Sequence, residues 1–286
     1  MQDEITERIV TTLVSNIERS IIERARRKPP GSLGAYELLL QGREQRNASS
    51  HEGMIAAEAS FERAIALDPD FALAHAELAY IQYVLVTWRI DPAQRGMQLA
   101  KGFAHARRAL ALEASLPIAN RVLGNLHLRA DEHAEAISWS QRAVALNPGE
   151  AESYAWLANV LSYAGRSAEA LEQLEHARRL DPLHPPLWDF YIGRALLHLG
   201  RYQEALAWLE TCSRRAPYFA FGHARIYMAA TLAQLGRLEE ARAALPGPQG
   251  AKGYQSISEI LQAGSYLASI ERDQLIEGLR KAGFPE

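Results

Sequence analysis

The chain has 286 residues, 48% hydrophobic and 23% charged, and its 31 basic and 34 acidic side chains give a formal charge of -3. That balance excludes a bulk attraction to nucleic acid or to an anionic membrane. The single cysteine, Cys212, excludes an internal disulfide and any metal site built from several thiolates, and it suits a reducing compartment such as the cytoplasm.

Residues 1-30 open with acidic Asp3 and Glu4 instead of a basic stretch followed by an apolar core, so no signal peptide is expected. Ile5, Ile9, Leu13, Ile17 and Ile21 recur every four residues, one stripe of an amphipathic helix that Pro29 and Pro30 stop. Arg24, Arg26, Arg27 and Lys28 near its end complement the helix dipole. A stripe of that length needs cover, from the next part of the chain or from a second copy, so a homodimer through this N-terminal helix is one expectation. No apolar run approaches the roughly 18 residues of a membrane span, so no membrane segment is expected.

Segments 35-43 and 56-69 form a first helical pair, and 71-83 opens a second with Leu78 and Ala79 side by side. Further on, Leu123 and Leu157 are 34 apart, as are Ala136 and Ala170, Ala143 and Ala177, and Pro148 and Pro182. A 34-residue period with a Leu-Gly/Ala pair, small residues in the middle and a closing proline reads as a helix-turn-helix repeat of the tetratricopeptide (TPR) kind. Pro69 and Pro148 are 79 apart, whereas two periods make 68, and the 11 extra residues are assigned to a loop around 86-96 that carries Trp88. The helix after that loop is expected over 102-114.

The later units repeat a turn device at Gly165, Gly200 and Gly236, where glycine takes the left-handed conformation at little cost. Cys212 falls where other units carry Ala143 and Ala177, which makes it a buried core residue. Residues 246-253 are a breaker-rich loop, and helices near 256-268 and 271-281 are expected to cap the stack. The expected fold is thus all-α: a right-handed TPR solenoid of five to six repeats over 35-245, preceded by the helix of 1-30 and closed by a loop and capping helices over 246-286.

In such a stack the first helix of each pair lines a groove. By resemblance to TPR domains, the inward positions are Tyr80, Tyr83, Arg121, Asn125, Arg129, Asn159, Tyr163, Phe190, Arg194, His198 and His223. The candidate site for a protein or peptide partner is Arg121, Asn125, Arg129, Asn159, Tyr163, Arg194 and His198. Asn125 and Asn159, 34 apart, each offer a donor and an acceptor to a peptide backbone, and the arginines offer charge-assisted bonds to carboxylates. The arrangement resembles peptide-binding TPR grooves, although Trp156 stands where their carboxylate clamp has a polar residue.

Catalytic constellations are not found. No two of the nine histidines have the i, i+4 spacing of a helical zinc site, and no H-E-x-x-H, G-x-x-x-x-G-K-[ST] or G-x-S-x-G occurs. The expectation is a protein that is not an enzyme and that needs no metal or cofactor. Residues 2-10, 35-43, 61-79 and 275-286 together resemble the C-terminal region of bacterial class III adenylate cyclase-like proteins. The resemblance implies a regulatory or scaffolding part of a larger signalling protein, with no direct contact to nucleic acid. Alternatives are the effector-sensing region of a transcription regulator, which carries a similar tail, and a free-standing adaptor.

Overall fold

The computed structural model describes residues 33-47, 50-87, 92-216, 223-245, 256-267 and 269-286. The expected helix over 1-30, Trp88, the loop over 246-253 and the side chain of His223 lie outside the described residues. Within them the chain is all helical, and six successive pairs run α1 (Leu33–Asn47) with α2 (His51–Leu67), α3 (Ala72–Thr87) with α4 (Pro92–Leu112), and α5 (Pro117–Arg129) with α6 (His133–Leu146). They continue with α7 (Ala151–Tyr163) and α8 (Ser167–Leu180), α9 (Pro186–His198) and α10 (Tyr202–Arg215), and α11 (His223–Gln234) and α12 (Leu238–Ala244). Two closing helices follow, α13 (Ile257–Gly264) and α14 (Ile270–Ala282).

Each first helix packs on its own second helix, and each second helix packs on the first helix of the next unit. From α3 to α11 the first helices also pack on one another, which puts α3, α5, α7, α9 and α11 side by side along one face. Small residues make the close crossings within units possible. Ala136, Ala143, Ala170, Ala177 and Cys212 are all fully buried, as the repeat register predicts. A Cβ added at Gly193 in α9 would come within 2.7 Å of the Leu209 side chain in α10, so that crossing accepts no larger residue without movement. Burial also pushes the Cys212 thiol up to about 11, which keeps it a protonated core side chain.

The turns repeat a chemical device. Gly165, Gly200 and Gly236 have φ of 74, 73 and 76°, and Asp131 holds the corresponding place in the third unit at φ 62°. After each of the three glycines an arginine grips the glutamate three residues on with two bonds: Arg166 to Glu169, Arg201 to Glu204 and Arg237 to Glu240. The extra residues of the second unit differ from expectation. Of the range 86-96, the described residues 86-87 and 92-96 are helical, and α3 and α4 have 16 and 21 residues where α5 and α6 have 13 and 14. The second helix therefore starts at Pro92, which is favoured at a helix start because its missing N–H would be unpaired there anyway.

The closing helix α14 has a serine N-cap, Ser269, whose hydroxyl accepts from the Arg272 amide at 3.1 Å, and Gly283 at φ 82° ends it. Its buried residues, Leu275, Gly278, Leu279 and Ala282, face α11. A Cβ on Gly278 would meet the Ala230 carbonyl oxygen at 2.7 Å, so the two helices touch backbone to backbone. Because α14 packs chiefly on the first helix α11 and reaches α9, it covers the inner face of the last units as well as their end.

Candidate functional site

The inner face carries a belt of polar and aromatic side chains that crosses from one first helix to the next. It begins where Arg43 and Arg46 of α1 hold the buried Glu77 of α3 at 2.6 and 2.5 Å. Arg46 also lies 5.1 Å from the centre of the Tyr80 ring, and Tyr80 and Tyr83 both pack on Trp156 of α7. Arg121 of α5 lies 5.8 Å from the same indole and pairs with Glu150 at 2.7 Å and Glu152 at 3.0 Å. Burial disfavours its charge, but the two carboxylates outweigh that and hold its pKa above the ordinary value.

The seven residues expected from the sequence all lie on this belt and are all buried, from Asn125 at 0% exposure to Tyr163 at 7%. The 34-residue period does place Asn125 and Asn159 on neighbouring first helices. Their amides bond to the protein itself: Asn159 Nδ2 donates to Asn125 Oδ1 at 2.9 Å, and Asn125 Nδ2 donates to the Arg121 carbonyl at 3.2 Å. Arg194 of α9 extends the ladder by donating from Nη2 to Asn159 Oδ1 at 2.8 Å and from Nε to Ser162 Oγ at 3.2 Å. Asn125, Asn159 and Arg194 thus tie the first helices of three units together.

Arg194 has an unusual setting for a side chain only 1% exposed. Its guanidinium lies 4.1 Å from the centre of the Tyr163 ring, 5.2 Å from Tyr191 and 5.5 Å from Phe190, while Nη1 has no hydrogen-bond partner. Burial works against its charge, and the groups that favour the charge most are the tyrosines 163, 266, 227 and 191 and not a carboxylate. Arg129 approaches the other side of this cluster, 5.0 Å from the Tyr163 ring. Burial pushes the Tyr163 phenol up, but Arg194 and Arg129 together outweigh it and hold it below the ordinary value. The centre of the belt is therefore electropositive and aromatic.

His198 ends α9 and is 2% exposed. Its Nδ1 lies 3.1 Å from Ser167 Oγ and 3.4 Å from Ser162 Oγ, and its Nε2 lies 3.3 Å from the hydroxyl of Tyr266. Burial, and next the charge of Arg194, push its pKa down to about 3, so the ring is neutral at ordinary pH.

Tyr266 is the residue that sequence reasoning missed. It belongs to the connection between α13 and α14, and it reaches back over the inner face to the fourth and fifth units. Its ring packs edge-on against Tyr163 at 4.7 Å and against His198 at 5.6 Å, and its hydroxyl bonds to that of Tyr227. The main chain follows, with the Leu267 amide donating to the Tyr163 carbonyl at 3.0 Å. Ser265 takes a left-handed turn, φ 52°, and accepts a long bond from Arg95 Nη2 at 3.4 Å. Four residues beyond Leu267, the Glu271 carboxylate accepts from the Ser167 amide at 3.2 Å and from its hydroxyl at 2.6 Å. Ser167 is the first residue of α8, whose own N-cap residue, Arg166, makes no capping side-chain bond, so Glu271 supplies the cap from afar. The signal in the sequence was only the loss of the repeat register after Leu245.

Among the described residues, no group of three His, Cys, Asp or Glu side chains is arranged to hold a metal ion, and no helix is long and apolar enough to cross a membrane. Of known proteins, Superkiller protein 3 of Saccharomyces cerevisiae is 26% identical over 136 residues, 47% of this chain, and the chain spans only 9% of its length. A thermophilic TPR protein from Thermus thermophilus superposes with a TM-score of 0.56 at 20% identity, over 69% of this chain and 98% of the other. PilF of Pseudomonas aeruginosa gives 0.51 at 17% identity, over 85% and 97%. The human IFIT1 dimer with PPP-AAAA gives 0.59 at 19% identity, over 68% and 46%. Those likenesses show the fold. The tetratricopeptide repeat family model matches residues 100-151 and 157-218, which span most of α4 to α10, so these helices are tetratricopeptide repeats.

Proposed function

We propose that the chain is a protein-interaction module without catalysis of its own, and that its inner face receives an extended segment of a partner protein. The observation that carries this reading is the belt from Glu77 to His198, where aromatic rings and guanidiniums on successive first helices pack together along one face. Rings give contact area at low entropic cost, and Arg129 and Arg194 give an electropositive centre that favours an acidic partner. Of the expected residues, Asn125 and Asn159 brace the wall, while Arg129 lies against the Tyr163 ring, and Tyr163 and His198 touch Tyr266. The wider setting, the regulatory part of a nucleotide-cyclase-like signalling protein, rests on the sequence resemblance alone, as do the transcription-regulator and free-standing alternatives.

A random peptide library selected on the immobilised chain tests the reading. Selected peptides should lose at least ten-fold in affinity for Arg129→Gln on the inner face and keep it for Glu172→Gln on exposed α8. Failure to select any peptide, or indifference to Arg129→Gln, refutes it.

A further inference from the structure

The concave face is not open at its centre, because residues 265-267 and 269-271 of the same chain lie across it. We infer that this segment is a resident ligand: it occupies the partner site in the way a partner does, and a partner binds by displacing it. The inference rests on the peptide-groove reading and adds what the site recognises, a tyrosine followed five residues later by a carboxylate.

Three features distinguish the segment from ordinary packing. First, Tyr266 inserts a hydroxylated ring among Tyr163, His198 and Tyr227 and bonds there through its polar tip, so the pocket reads both the ring and the hydroxyl. Second, the Leu267 amide bonds to the Tyr163 carbonyl, a main-chain contact independent of side-chain identity, of the sort that holds peptides in grooves. Third, Glu271 satisfies the amide and hydroxyl at the start of α8, a site any carboxylate could fill. Between these anchors the segment is lightly held, with Leu267 46% exposed and Ile270 80% exposed. By contrast α14 itself is fixed by Leu275, Leu279 and the close approach of Gly278 to Ala230. The segment, with the first turn of α14, can therefore leave while the rest of α14 stays.

A tethered ligand competes at an effective concentration of about millimolar, so an outside peptide of equal intrinsic affinity binds poorly until the resident is weakened. The synthetic peptide LQAGSYLASIERDQ, residues 261-274, carrying a fluorophore, is titrated into the full chain and into Tyr266→Ala/Glu271→Gln, with binding read by polarisation. The variant should bind it at least ten-fold more tightly than the wild type does. A peptide with alanine for its tyrosine should lose at least ten-fold on the variant. Equal binding to both proteins, or equal binding of both peptides, overturns the inference.

Should the variant fail to fold, by its helical circular dichroism, amide exchange in the wild type decides. The Leu267 amide should exchange at least ten-fold faster than the amides of Leu275 and Leu279. Exchange of all three only on global unfolding overturns the inference, because the segment is then a fixed part of the cap. If instead the segment opens and no peptide of any sequence binds, the inference fails together with the interaction-groove reading, whereas binding of other peptides to a fixed-segment protein sinks the inference alone.

Discussion

Removing the Asn159 side chain should destabilise the protein far more than a surface asparagine would. Asn159 is 3% exposed and stands between two buried groups, donating from Nδ2 to Asn125 Oδ1 at 2.9 Å and accepting on Oδ1 from Arg194 Nη2 at 2.8 Å. In Asn159→Ala, Asn125 Oδ1 loses its donor, which costs about 1-3 kcal/mol for a buried neutral group. Arg194 suffers more, because Nη1 already lacks a partner and the remaining contact of Nη2, to the Asn159 carbonyl, is at 3.5 Å. A buried cation losing an acceptor costs about 2-3 kcal/mol, so the sum is about 3-6 kcal/mol. For a chain of this size that is a fall in Tm on the order of 10 °C. Urea unfolding followed by circular dichroism measures it, with Asn125→Ala and the double variant completing a cycle. Because both residues share one bond, the double variant should cost about 1 kcal/mol less than the sum of the singles. A loss below about 1 kcal/mol for Asn159→Ala, or strict additivity, would refute the ladder as a link between units.

Ala143→Leu should overpack the fully buried site of that alanine and cost about 1-3 kcal/mol in urea unfolding, a result that an unchanged midpoint would contradict. The protein should lose stability below pH 6.5. His198 is held down to about 3 by burial and then Arg194, and His105 to about 4 by burial and then His75, so their neutral forms stabilise the fold above pH 6.5. That contribution falls as the unfolded state takes up protons, by about 2 kcal/mol at pH 5 for His198, and His198→Gln should flatten the pH profile. Deleting residues 1-28 should lower solubility or change the mass in light scattering, since the first unit leaves Leu33, Leu40 and Leu67 exposed at 75, 46 and 58%. An unchanged mass and solubility would show that this stretch covers nothing.

The fold was legible because a strict period repeats both the small residues at the crossings and the glycines at the turns. Asp131 makes its left-handed turn without a glycine, so no turn residue marks it, and the extra length of α3 and α4 is hidden because the repeat period has no place for it and Pro92 starts a helix. The period also gave the inner-face residues, yet not what they bond to. Arg194 to Asn159 spans 35 residues and His198 to Ser162 spans 36, so the partners drift off the ruler as the inter-unit turns lengthen. Tyr266 and Glu271 have no periodic counterpart at all. Their role depends on tertiary contact, which no local pattern encodes.

The long reach of Glu271 also bears on how the chain is made. Repeat arrays generally fold by local contacts, each unit completed by its neighbour as synthesis proceeds. Here the Ser167 to Glu271 bonds join residues 104 apart, and Arg95 to Ser265 joins residues 170 apart. The middle units therefore leave the ribosome with α8 uncapped and the pocket beside Tyr163 vacant, and they stay so until Tyr266 and Glu271 emerge. During that interval the nascent chain is most open to an outside peptide, so a partner translated nearby would meet no competitor.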